Sequence, residues 1–349
     1  MDVRPAPRMA SLESYAFAEI QARVAELRGA GAEVIDFGVG DPTTPTPALV
    51  REACKRGVDA HATSGYPMYE GSRELRAAAG AWIERRFGVA LDPASEVTST
   101  IGSKEAVFHF HEALVAPGDV VLCPSPGYPP YVRGTLLAEG EPYQVPVWRK
   151  SDFLPDFDRV PEDVARRARI LWVCYPNAPT GRCASLEELR SIYEWAAARG
   201  IVVASDEAYV DFYFDRKPPP SMLEVSRDGV LAFFSLSKRS AMTGYRVGFA
   251  AGDSRLVTLL RAVKTNLDSG TPWFVEEAAM AALGDEEHVH TMREAYGRKS
   301  RLLCEALHSA GLERCDPDGT IYIWQQVPEG MTSLDFARRL LEPPLAVIV

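Results

Sequence analysis

The sequence predicts an α/β protein, with a mostly parallel central sheet covered by helices on both faces and a smaller α+β part beside it. Three observations predict it. From about residue 96, short runs that are apolar almost throughout alternate with amphipathic helical stretches. That is how strands buried on both faces read. Ser185 stands directly before LEEL, with Glu188 three residues on, a capping box that opens a helix inside this alternation. The first 40 residues and those beyond about residue 275 lack the alternation and carry long helical stretches instead.

Taken in order, the strand candidates are 97–101 (VTSTI), 120–123 (VVLC), 143–147 (YQVPV), 170–174 (ILWVC), 201–205 (IVVAS), 230–234 (VLAFF) and 246–251 (RVGFAA). Helical patterns at 104–115, 131–138, 186–199 and 255–264 separate them. Strand and helix in turn imply a sheet whose strands run mostly parallel. Further helices are expected at 276–283 and 289–310, then strand-like pieces near 321–325 and 345–349. The division expected is a large domain at 41–274 and a small one from 1–40 and 275–349, with the C-terminal part of the small one incomplete. RKPPP, from Arg216 to Pro220, reads as a rigid surface loop. No internal repeat or low-complexity segment is present.

Composition narrows the classes. The chain has 349 residues, 46% hydrophobic and 25% charged, the mix of an ordinary globular protein. Its 38 basic and 48 acidic residues leave a net charge of −10, which excludes a general nucleic-acid binder but not one local phosphate pocket. Six cysteines are scattered without a C-x-x-C pair and read as reduced thiols. His109 and His111, like His288 and His290, sit two apart in helical stretches and so face different ways, which argues against a metal site. No apolar run approaches membrane-spanning length and no signal peptide is apparent. The expectation is a soluble cytoplasmic protein.

The chemistry concentrates in SLSKRSAMTGYRVGF, Ser235 to Phe249. Lys238 follows a buried-looking strand and is flanked by Ser235 and Ser237, with Arg246 eight residues on. A lysine amine there could form a Schiff base if its pKa is lowered, while the hydroxyls and guanidinium could hold a phosphate dianion. On its own, S-x-S-K reads equally as a solvated polar loop. Upstream, IVVASDEAY ends a strand in Asp206, with Tyr209 three residues later. Ligands of open α/β sheets bind beyond the strands' carboxyl ends, where Asp206 would meet a ring nitrogen or merely cap a turn. STIGSKEAVF puts Gly102, Ser103 and Lys104 at a strand-to-helix junction, an arrangement suited to an anion and also to an ordinary N-cap. CPSPGYPPY presents Tyr128, whose face could stack on a flat ring.

Together these words resemble the pyridoxal-phosphate-dependent aminotransferases of classes I and II, fold type I. The resemblance runs from about Val34 to the C-terminus, and its densest motif, S-x-S-K-x-x-x-M-x-G-x-R-x-G, is complete here. It implies pyridoxal 5'-phosphate as cofactor, with Lys238 as the lysine that binds it covalently and later moves the substrate's proton. Asp206 would hold the pyridinium, Tyr209 would donate to the ring's phenolic oxygen, and Tyr128 would stack on the ring. Ser103, Lys104, Ser235, Ser237 and Arg246 would hold the phosphate. Tyr66, in GYPMYEGSRELR, matches a tyrosine that reaches the partner subunit's phosphate, which implies a homodimer with shared active sites. Gly40 matches a glycine whose backbone lies near the substrate carboxylate.

Two departures stand out. The family writes asparagine immediately before P-T-G, where this chain has Ala178; the neighbouring Asn177 is the candidate left for the cofactor. The family also continues, after a strand like LAVIV, to an arginine that clamps the substrate carboxylate, whereas this sequence stops at Val349. GDPTTPTP, IGSKEAVFH, VKTNLDSG and MREAYGRKS resemble the diaminopimelate aminotransferases of lysine synthesis, both LL- and N-succinyl types. That implies an amino acid with a distal charged end as one substrate and the 2-oxoglutarate/glutamate pair as the other. Lys264 and Asn266 are the candidates for distal contacts, with an ordinary helix end as the plain alternative. Three readings stay open: an aminotransferase (of this or the aspartate, alanine or aromatic type), a β-lyase or cyclase on the same cofactor, and a non-catalytic binder.

Overall fold

Seven short segments pair into one sheet, and a central one such as Val230–Ser235 is buried along its whole length because both of its faces are apolar. The computed structural model describes residues 1–9, 17–38, 40–214 and 217–349. Of the loop expected from Arg216 to Pro220, Arg216 lies outside the described residues. The chain runs α1 (Phe17–Gly29), β1 (Ile35–Asp36), α2 (Ala48–Ala60), α3 (Arg73–Phe87) and β2 (Val97–Thr100). Next come α4 (Ser103–Leu114), β3 (Val120–Ser125), α5 (Pro129–Leu137), β4 (Glu141–Pro146), α6 (Glu162–Arg167) and β5 (Ala168–Cys174). Then follow α7 (Leu186–Ala197), β6 (Val202–Asp206), β7 (Val230–Ser235), the one-turn α8 (Leu236–Arg239), β8 (Gly248–Gly252) and α9 (Ser254–Leu267). The last elements are α10 (Trp273–Leu283), α11 (Glu287–Ser309), α12 (Ser333–Leu341) and β9 (Val347–Ile348).

The sheet order is β2-β8-β7-β6-β5-β3-β4. All its pairings are parallel except those of β8, which runs antiparallel to both β2 and β7. Alternation sorts the side chains. On one face Val121, Ile170, Trp172, Ala204, Leu231 and Phe233 pack under α4 and α9. On the other, Val120, Leu122, Leu171, Val173, Val203 and Phe234 pack under α3, α7 and α10. Each fully buried large side chain contributes about 1.5–3 kcal/mol, so both layers are needed to stabilise a sheet this apolar. The capping box at the start of α7 forms: the Ser185 side chain accepts from the Glu188 N–H and Glu188 from the Ser185 N–H.

Three expectations change. Arg246, expected to start a strand, instead adopts a left-handed conformation at φ 57° just before β8. Residues 321–325 form no strand, and at the C-terminal end the strand is only Val347–Ile348, paired parallel with β1. Val275, Ala278, Ala279, Ala282 and Leu283 of α10 belong to the large core, so the boundary expected at residue 275 cuts across that core.

Candidate active site

The carboxyl ends of β5, β6 and β7 lie side by side, with Cys174 paired to Asp206 and Asp206 to Phe233. Because β8 is antiparallel, it begins at this same edge, where Gly248 pairs with both Ser235 and Thr100. Sheet order therefore gathers segments that are far apart in sequence. Above the edge opens a cleft of about 650 Å³ lined by Ser103, Lys104, Tyr128, Asp206, Tyr209, Ser235, Ser237, Lys238 and Arg246, among others.

Lys238 sits on α8, one turn beyond β7. Its Nζ donates to the Gly40 carbonyl and lies 3.3 Å from Asp41 Oδ1. Burial lowers its pKa, with help from the Arg246 charge and against the pull of Asp41. Asp206 is fully buried at the end of β6. Its Oδ2 accepts from the Tyr131 hydroxyl at 2.7 Å and its Oδ1 from the Ala208 N–H at 3.1 Å. Burial raises its pKa while those two donors lower it. Among the described residues no cation pairs with it, so a buried carboxylate faces the cleft with its charge unmatched. Tyr209 donates to the Tyr322 hydroxyl at 3.1 Å, and burial raises its pKa well above the ordinary value.

On the far side of the lysine, Gly102 caps α4 at φ +76°. A Cβ there would sit 2.5 Å from Arg246 Nη2, so only glycine lets the guanidinium lie against the helix start. Arg246 Nη1 also donates to the Thr243 carbonyl, and the Ser235 hydroxyl accepts from the Ser237 N–H, leaving its own proton to donate. Helix N–H groups, two hydroxyls and a guanidinium around one opening fit a phosphate dianion. With the unmatched Asp206 opposite, the donor set fits a phosphorylated pyridine.

Several expected residues are not brought here. Asn177 is buried, but its amide donates to the Cys174 carbonyl and accepts from the Thr180 N–H and hydroxyl; Ala178 lines the cleft in its place. The proline-bound turn consumes the amide that the cofactor would need. Lys264 is fully buried between α9 and α4, with Nζ 2.7 Å from Glu105 and 2.9 Å from Asp268. It continues the buried stripe of Leu256, Val257 and Leu260 and cannot meet a substrate. Asn266 is exposed and its amide donates to the Ala262 carbonyl, one turn back on α9. Tyr66 is 88% exposed, outside its own chain's cleft. Glu105, His109 and Asp268 stand close enough to hold a metal ion, but the Lys264 ammonium already occupies the cation's place.

Tyr131, Tyr322 and Asp41 line the cleft without having been singled out from the sequence. Tyr131 had a local signal, since it falls three residues after Tyr128 where α5 begins. Tyr322 comes from a segment over a hundred residues from its partner Tyr209 and had none.

Comparison with known proteins agrees with this geometry. The model of the family "Aminotransferase class I and II" matches residues 32–349. The LL-diaminopimelate aminotransferase of Aquifex aeolicus is 44% identical over 338 residues, 96% of this chain and 87% of that one. That of Desulforudis audaxviator is 42% identical over 98% of this chain and 88% of its own length. A single mutant of the Thermus thermophilus aspartate aminotransferase superposes with a TM-score of 0.93 at 29% identity, over all of this chain and 91% of that one. With a family match over nine-tenths of its length and a cleft whose donors suit the family's cofactor, the chain belongs to the class I and II aminotransferases.

Proposed function

We propose that this aminotransferase acts on an amino acid of the diaminopimelate type and exchanges its amino group with the 2-oxoglutarate/glutamate pair. What supports the substrate class is similarity to the Aquifex aeolicus and Desulforudis audaxviator enzymes along almost the whole chain. The observation that carries the reaction is the meeting of Lys238, Asp206 and Arg246 in one cleft.

Class I and II aminotransferases use pyridoxal 5'-phosphate, which when bound supplies an electron sink beside the substrate's α-carbon. In this reading Lys238 holds the cofactor through its amine and, once released, takes and returns the proton at that carbon. A lowered pKa suits both tasks, because each needs the neutral amine. Asp206 keeps the ring nitrogen protonated, Tyr209 turns its hydroxyl proton from Tyr322 to the phenolic oxygen, and Tyr128 covers the ring face. Ser103, Lys104, Ser235, Ser237 and Arg246 bind the phosphate, and the Gly40 backbone borders the substrate. The enzyme in this reading is a cytoplasmic homodimer. Tyr66 stands exposed beside the half-exposed Met68, free to reach a second subunit, and the six free cysteines suit a reducing compartment.

The test is the visible spectrum of pyridoxal-phosphate-loaded protein, recorded before and after LL-diaminopimelate or glutamate is added without an acceptor. Each should convert the lysine-bound band to that of the pyridoxamine form. Release of pyruvate and ammonia would point instead to lyase chemistry, and a band untouched by both amino acids would overturn the reading. Faster conversion by aspartate would overturn the substrate class alone.

A further inference from the structure

We propose that Tyr131 is a positioning residue that keeps Asp206 ionised and aimed into the cleft. The inference rests on the cofactor reading above and adds a residue to it. Asp206 has one donor on each oxygen. The donor to Oδ1 is backbone and cannot be lost by mutation, whereas the donor to Oδ2 is the Tyr131 hydroxyl alone. Without that hydroxyl a buried carboxylate oxygen would have no protein donor, and the carboxylate would be free to turn and to take up a proton.

The phenol is held where a donor must be. Tyr131 is 1% exposed and is the third residue of α5, fixed in its first turn behind Pro129 and Pro130. Its ring stacks on Trp172 at 4.7 Å and 10°, and meets Tyr128 edge-on at 5.6 Å and 80°. Trp172 Nε1 donates to His111 Nε2 at 3.1 Å, so His111 Nδ1 carries the hydrogen that bonds the Val107 carbonyl at 2.6 Å. One residue thus touches both the carboxylate expected at the ring's edge and the aromatic expected on its face.

Among the described residues no other side chain donates to Asp206, and the nearby Cys174 thiol gives its hydrogen to the Pro176 carbonyl. Burial and the neighbouring carboxylate push the Tyr131 phenol well above its ordinary value, and burial pushes the Cys174 thiol up. Burial holds His111 down near 4. The stack behind Asp206 is therefore neutral throughout the neutral range, and the hydroxyl donates at every working pH. Among the described residues, the cations that line the cleft, Lys104, Lys238 and Arg246, make no hydrogen bond to Asp206.

The experiment compares wild type, Tyr131→Phe, Asp206→Asn and the double variant. Phenylalanine keeps the stack and the edge contact and removes only the hydroxyl. In the wild-type background, Tyr131→Phe should weaken pyridoxal-phosphate binding about 10- to 100-fold, the range for a buried hydrogen bond to a charged group. It should also raise the pH at which the visible band of the lysine-bound cofactor shifts, because a less firmly held carboxylate leaves less charge on the ring nitrogen. In the Asp206→Asn background the same change should add little further loss, since the effect runs through the carboxylate. Equal affinity and an unmoved band pH in Tyr131→Phe would overturn the inference. So would an equal loss in both backgrounds, which is the mark of packing alone. A wild-type chain that forms no such band would instead take down the cofactor reading, and this inference with it.

Discussion

Glu207 and His111 are both buried, and their protonation opposes over one stretch of pH. Glu207 Oε1 accepts from Ser205, Ser221 and the Met222 N–H, while Oε2 has no partner among the described residues. Burial outweighs those donors and raises its pKa from 4.5 to about 7. The folded state thus holds a proton that the unfolded chain releases. The stability this contributes, on the order of 3 kcal/mol, is complete below pH 4.5 and lost as pH rises through about 7. His111 runs the other way, lowered by burial from 6.5 to about 4, so its contribution is present above 6.5 and lost as pH falls through 4. Wild-type stability should change little between pH 7.5 and 5 on account of this pair. Glu207→Gln should expose the histidine limb, losing on the order of 2 kcal/mol more than wild type over that interval, read from urea midpoints. Parallel pH curves for the two proteins would show that Glu207 is not protonated in the fold.

Elements are joined here by charge as well as by apolar packing. Lys264 of α9 reaches Glu105 of α4 and Asp268 at the end of its own helix, and Asp268 Oδ1 accepts from the Gly270 N–H. Burial would raise the Glu105 carboxyl, but the His109 ring 2.8 Å away and the Lys264 ammonium outweigh it and bring it to about 2. The cluster fixes the first turn of α4, where Ser103 and Lys104 line the cleft, against α9. Lys264→Met should cost about 3–5 kcal/mol, the cost of removing one partner from a buried ion pair. Adding Asp268→Asn should recover part of it. A Lys264→Met protein as stable as wild type in urea would mean that the cluster holds nothing. The same residues show where sequence reasoning stops. Lys264 and Asn266 fall in a polar-looking helix end, and only the facing α4 decides that one is buried and the other exposed.

At the scale of the molecule, the cleft of one chain leaves Tyr66 unused. If two chains share their sites, mixtures of Lys238→Ala and Tyr66→Ala proteins should recover activity that neither has alone, because one site of each mixed dimer carries both native residues. Light scattering should give twice the 38.3 kDa chain mass. A monomer, or mixing without recovery, would sink the shared-site reading. The α/β alternation, the capped α7 and the lysine motif are legible in the sequence because each is local: burial on two faces, a four-residue hydrogen-bond pattern, a fifteen-residue run. The Tyr131 bond to Asp206 and the pairing of Tyr209 with Tyr322 are not local. They depend on which strands lie side by side and on where an antiparallel β8 begins. The sequence by itself determined the strands, the helices and the motif around Lys238, through periodicity and spacing. Only the tertiary structure decided which polar groups face the cleft, because a side chain's partner is set by the element packed against it.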